Sequence, residues 1–84
     1  MKITSAIKKV SKALNVEPIK RGQFYRFEYG KECLEFAQNG SSDEITCIST
    51  CRIGDESCAM TDYFPNIWHN NVTQAIKFII RHGK

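Results

Sequence analysis

The apolar positions of this chain change their spacing twice. Ile3, Ala6, Ile7, Val10, Ala13 and Leu14 recur at the interval of one helix face, with Lys8, Lys9 and Lys12 on the other side. The pattern predicts an amphipathic helix of about 11 residues, opened by Thr4 or Ser5 as cap and closed near Asn15. Residues 16–22 read as a connector, with Pro18 and Gly22 as breakers. From Phe24 the period falls to two. Tyr25, Phe27 and Tyr29 alternate with Arg26 and Glu28, the signature of a half-buried strand. Gly30-Lys31 supplies a two-residue turn with glycine where a type II′ turn needs it. Residues 32–37 return, with Leu34 and Phe36 inward and Cys33 and Glu35 outward.

Asn39-Gly40 opens a polar turn before a third strand over residues 44–53. The parity of that strand is open on the sequence. Ile45, Cys47, Ser49, Cys51 and Ile53 share one face, and Thr46, Ile48, Thr50 and Arg52 share the other. The first set is the more apolar and is expected inward. That leaves Arg26, Glu28, Glu35, Thr46, Thr50 and Arg52 on the wet face. Residues 54–57 form another turn, and 58–62 read as a short fourth strand.

The period returns to 3.6 at the C-terminal end. Asn71 is placed as N-cap with Gln74 three residues on, and Val72, Ala75, Ile76 and Ile79 follow at helical spacing. Lys77, Arg81 and His82 suit the negative end of the helix dipole, and Gly83 is placed to stop the helix. Pro65 keeps Phe64 extended, so residues 62–65 cannot begin a long regular element. Tyr63, Phe64, Ile67 and Trp68 are expected as the hinge packing this helix on the sheet. The sharper alternative makes Tyr63 and Trp68 partly exposed partner-binding anchors. The sum is a single α+β domain over residues 1–84, a two-layer arrangement of helix, three- or four-stranded antiparallel β-meander, and helix. Both helices cover one sheet face.

Charge is unevenly distributed around a net value of +3. Residues 1–26 are basic, with only Glu17 against their lysines and arginines; residues 27–68 are acidic; residues 69–84 are basic again. An acidic region of Glu28, Glu32, Glu35, Asp43, Glu44, Asp55 and Glu56 would meet a basic protein partner. A basic set of Lys8, Lys9, Lys12, Lys20 and Arg21 would instead meet nucleic-acid phosphates. The first helix lacks the bulky aromatic wedge of a membrane-surface helix, and no apolar run is long enough to span a bilayer. No secretory leader is expected, which points to the cytoplasm.

The four cysteines invite a zinc or redox reading, and their spacing argues against the first. There is no C-x₂-C pair, and Cys47 and Cys51 in one strand would stand about 13 Å apart, too far to share one zinc or a bridge. Cys33 would lie across from Cys47 in a paired strand, which allows one cross-strand bond on oxidation. No base is positioned by a local motif; His69 and Cys58 are the nearest approach to a nucleophile pair. Asp55, Glu56 and Asp62 lack a cation-binding pattern, and no glycine-rich phosphate loop is present. No catalytic residue, metal or cofactor is expected.

The segment GDESCAMTDYFPNIWHNNVTQAIKFI resembles the C-terminal part of small domains found in phages and other mobile elements, of the large polyvalent protein-associated type. The shared features are a strand, an acidic turn, Asp62-Tyr63-Phe64 and a closing Ala-Ile helix. The resemblance implies a small non-enzymatic protein-binding module of the anti-defence, anti-CRISPR-like kind. Its partner would be a host protein such as a nucleic-acid-binding defence complex, blocked by surface occlusion in the host cytoplasm. The alternative is a small nucleic-acid-binding module using the basic first helix. Either would act as a monomer or, through an open edge strand, as a homodimer.

Overall fold

The computed structural model describes residues 1–53 and 67–83. Helix α1 (Ile3–Leu14) leads into a meander of strands β1 (Ile19–Arg21), β2 (Phe24–Tyr29), β3 (Glu32–Gln38), β4 (Ile45–Arg52) and β5 (Ile67–Trp68), and helix α2 (Val72–His82) closes the chain. The five strands lie in sequence order, each antiparallel to the next. The fold is the expected α+β arrangement of helix, antiparallel sheet and helix, with two strands more than the periodicity located with certainty. β1 falls in the stretch read as a connector and β5 in the stretch read as the approach to α2. Both are too short to display a period. The expected strand over 58–62 lies outside the described residues.

Both helices pack on one face of the sheet, α1 against β2 and α2 against β3 and β4, and they also touch each other. Between them lies the core: Ala6, Val10 and Leu14 of α1; Val72, Ala75, Ile76 and Ile79 of α2; and Phe27, Leu34 and Phe36 of the sheet. Phe27 and Phe36 meet tilted at 5.5 Å between centroids, and Tyr25 stacks on Phe36 at 6.0 Å. Each such ring contributes roughly 1.5–3 kcal/mol by leaving water.

The ends of the elements follow from local chemistry. Asn71 caps α2, its Oδ1 accepting from the Gln74 backbone N–H at 2.9 Å, while the Gln74 side chain accepts from Asn70 N–H at 3.2 Å. Asn15 closes α1 in the left-handed region at φ 57°. The expected cap at Thr4 or Ser5 is corrected: α1 begins at Ile3, without a side-chain cap. The β3–β4 loop supplies the missing partner, because Ile3 N–H donates to the Asp43 carbonyl at 2.6 Å. Met1 also reaches this loop, its ammonium 3.0 Å from a Glu44 carboxylate oxygen.

Gly83 is buried after α2, at an ordinary φ of −80°. A Cβ there would stand 2.6 Å from the Tyr29 carbonyl oxygen and 2.7 Å from that of Ile79. The Gly83 carbonyl accepts from Lys31 N–H in the β2–β3 turn. The glycine therefore lets a helix end touch a hairpin, beyond stopping the helix. The turn itself follows expectation, two residues with Gly30 at φ 59°.

The parity of β4 needs the largest correction. Cys47 has φ 55°, and the β3–β4 register shifts between Glu35 and Ala37. An extra residue at this point makes a bulge, and everything after it changes face. Ile45 faces the helices as expected. Beyond the bulge, Ile48 and Thr50 face them, while Cys47, Ser49 and Cys51 turn to the other side. Thr50, expected wet, is fully buried, and its hydroxyl lies 2.9 Å from His69 Nε2.

Candidate functional site

The sheet face away from the helices is assembled by register. Opposed residues share a face, so Ile19 with Arg26, Arg21 with Phe24, Glu28 with Cys33, Glu35 with Ser49 and Ser49 with Trp68 all lie on this side. Across it runs a cleft of about 310 Å³ lined by Arg21, Phe24, Glu35, Cys47, Ser49 and Trp68. Phe24 from β2 and Trp68 from β5 are 45 % and 65 % exposed, so the cleft has an aromatic side chain near each edge of the sheet. Its floor comes from the central strands, with Ser49 almost fully buried. The bulge at Cys47 creates this floor by turning Cys47 and Ser49 outward.

The charges of the cleft are not equivalent. Glu35 stands opposite Arg26 in the β2–β3 ladder, and Arg26 Nε is 3.3 Å from a Glu28 carboxylate oxygen. Among the described residues Arg21 makes no ion pair. It brings an exposed guanidinium to the mouth of the cleft beside the Phe24 ring, a combination suited to carboxylate or to a planar group.

Trp68 is thus on the open side of the sheet. The expectation that Ile67 and Trp68 anchor the core is corrected, since both are largely exposed at the sheet edge. Two-residue β5 pairs with β4 by its backbone and leaves the indole out. Tyr63 lies outside the described residues. Phe24 is not among the residues the sequence singles out, because Tyr25, Phe27 and Tyr29 form the inward face and Phe24 has the opposite parity. The same alternation carried the signal for it.

The acidic set is not brought into one face. Glu28 and Glu35 lie on the open face, while Glu32 stands opposite Arg52 and belongs to the helix side. Asp43 and Glu44 lie in the β3–β4 loop at the other end of the hairpin, with Glu44 engaged by the N-terminal ammonium. Asp55 and Glu56 lie outside the described residues. The basic set is divided as well. Lys8, Lys9 and Lys12 project from α1, and Lys9 Nζ donates to Thr73 Oγ1 at 2.6 Å, joining the helices. Lys20 sits over the Tyr25 ring at 5.7 Å, on the helix side of β1, whereas Arg21 faces the cleft.

The remaining candidates fall elsewhere. His69 touches Phe78 at 5.3 Å between centroids, and burial pushes its pKa down. His82 meets Phe78 with its ring tilted, 4.4 Å between centroids. Among the described residues no three His, Cys, Asp or Glu side chains converge as a metal site, and no helix is long and apolar enough to cross a membrane. Cys33 faces Cys51, not Cys47, because the β3–β4 register pairs the start of β3 with the end of β4, four residues beyond Cys47. Burial pushes the Cys33 thiol up to about 12 and raises Cys51 as well, so neither is an activated nucleophile at neutral pH. Compared with known proteins, the chain matches no family model, no curated protein and no solved structure.

Proposed function

We propose that this chain is a small, non-enzymatic protein-binding module whose recognition surface is the open sheet face. The observation that carries this reading is the pair of exposed aromatics, Phe24 and Trp68, flanking a cleft with Arg21 at its mouth. Trp, Arg and large aromatics are the residues that dominate protein–protein hot spots, and they do so when grouped around a concave patch. A solvent-exposed indole on a chain this small costs solubility and contributes little to stability, so its exposure fits a contact surface. The acidic residues take a lesser place, as rim charges that tune association rate. The anti-defence version, in which a host nucleic-acid-binding complex is occluded, rests on the resemblance of residues 54–79 to mobile-element domains.

The test is affinity capture from the source cells, with the intact chain and with Phe24→Ala/Trp68→Ala as baits, each with and without nuclease. A protein retained by the intact chain, resistant to nuclease and lost with the double variant supports the reading. Equal capture by both baits moves the contact surface elsewhere. Partners that vanish on nuclease treatment favour the basic-helix alternative. Reversing Asp43 and Glu44 to lysine then separates the roles: a slower on-rate is expected, with the dissociation rate nearly unchanged.

A further inference from the structure

We infer that Cys33 and Cys51 are an oxidation site, a cross-strand dithiol that a small-molecule disulfide such as oxidised glutathione converts to an intrachain disulfide between β3 and β4. The inference stands on the register and does not depend on the binding reading. Cys33 is directly opposite Cys51, with both side chains on the open face. The Ile53 N–H donates to the Lys31 carbonyl at 2.7 Å, and these two residues continue the same register. Hydrogen-bonded and non-hydrogen-bonded pairs alternate along an antiparallel ladder, so Cys33 and Cys51, two steps on, are again a hydrogen-bonded pair with Cα atoms about 5.5 Å apart. That falls inside the roughly 4.4–6.8 Å range that disulfides span.

No disulfide joins Cys33 and Cys51 in this structure; Cys33 is 2 % exposed and Cys51 9 % exposed. Cys51 is the more accessible and lies one residue from the end of β4, where local opening of a ladder takes the least free energy. Its thiolate attacks one sulfur of the reagent, forming an S–S bond and expelling one glutathione thiolate. The Cys33 thiolate then attacks Cys51 Sγ and expels the second. Two protein thiols lose two protons and two electrons, and one oxidised glutathione becomes two reduced ones. Because burial keeps both thiols protonated, the reaction is slow at neutral pH and quickens as pH rises. Cys47 is exposed, but its bulge position leaves it opposite no cysteine, so it takes only a mixed disulfide. The new bond would lie two rungs from the Glu35–Ser49 pair, its next neighbour on the open face and part of the cleft lining, and would stiffen that floor.

The experiment treats the folded chain with oxidised glutathione at mildly alkaline pH. It is followed by intact mass, by cleavage after acidic residues and by fragmentation of the linked peptides. The expected product links Cys33 to Cys51, that pair losing two hydrogen masses beside the glutathione adduct on Cys47, and its Tm is higher by about 10 °C than the reduced form. Cys47→Ser should form the same bond, and Cys33→Ser and Cys51→Ser should not. A bond from Cys33 to Cys47 or Cys58, glutathione adducts without an internal bond, or no further change in mass once Cys47 has fully reacted would each overturn the assignment.

Discussion

Phe24 and Phe27 stand in the same strand and meet opposite environments. Phe27 faces the helices, is fully buried and touches Phe36; Phe24 faces away, is 45 % exposed and walls the cleft. The contrast extends to the whole sheet. The helix side is closed by apolar residues from five elements, α1, α2, β2, β3 and β4, and its chemistry is that of stability. The open side mixes aromatics, thiols, the carboxylates of Glu28 and Glu35 and an arginine, Arg21, with no ion pair among the described residues, which stability alone does not require. A domain of 84 residues has a small margin of stability, and two large exposed aromatics on one face are a use of sequence that folding does not explain.

The largest effect should come from breaking this contrast on the closed side. Phe27→Ala removes a fully buried ring from the centre of the core, at a cost of about 3–5 kcal/mol. Phe24→Ala should cost under about 1 kcal/mol. Urea unfolding of the two variants measures both. Equal losses would mean that the open face is a second core and would undo the division of labour argued above.

Gly83→Ala should come next. Its added methyl would meet the Tyr29 and Ile79 carbonyl oxygens, both backbone atoms that cannot swing away. Overpacking of this kind costs roughly 1–3 kcal/mol. The helix itself would welcome alanine, so a gain in stability would show that the hairpin and α2 do not meet there. The measurement is the urea midpoint at unchanged slope.

Much of the closed side was legible because it is periodic. The i, i+3, i+4 stripes of α1 and α2, Ala13 excepted because it is exposed, and the alternation of Tyr25, Phe27 and Tyr29 identify residues that are buried or half-buried. Asn71 with Gln74, and Gly30 in its turn, are local chemistry that a sequence displays directly. The open side was hidden for two physical reasons. A bulge at Cys47 reverses parity, and no residue type announces a non-glycine in the left-handed region. Strands of two and three residues carry no period, so the edges that present Trp68 and Arg21 could be found only in three dimensions. Sequence order also cannot show that charges forming a run end on different faces, as Glu28 and Glu32 do.

The smallest effect lies at the seam between the two sides. His69 follows β5, its Nε2 is 2.9 Å from the hydroxyl of buried Thr50, and its ring meets Phe78. Burial lowers its pKa from 6.5, so the folded chain favours the neutral imidazole while the unfolded chain takes up a proton near the ordinary value. The sign follows: this contribution to stability is complete above pH about 6.5 and is lost as pH falls through the depressed folded value. Between pH about 7 and 5 the intact chain should therefore lose stability, with a slope well under the ~1.4 kcal/mol per pH unit of one full proton difference. His69→Gln keeps a polar side chain near Thr50 and cannot titrate, so its unfolding midpoint should fall less over the same range. Parallel pH profiles for the two chains would mean that the ring is open to water in the folded state. A steeper fall for the intact chain would mark the Thr50–His69 contact as the point where the buried face and the exposed edge are joined.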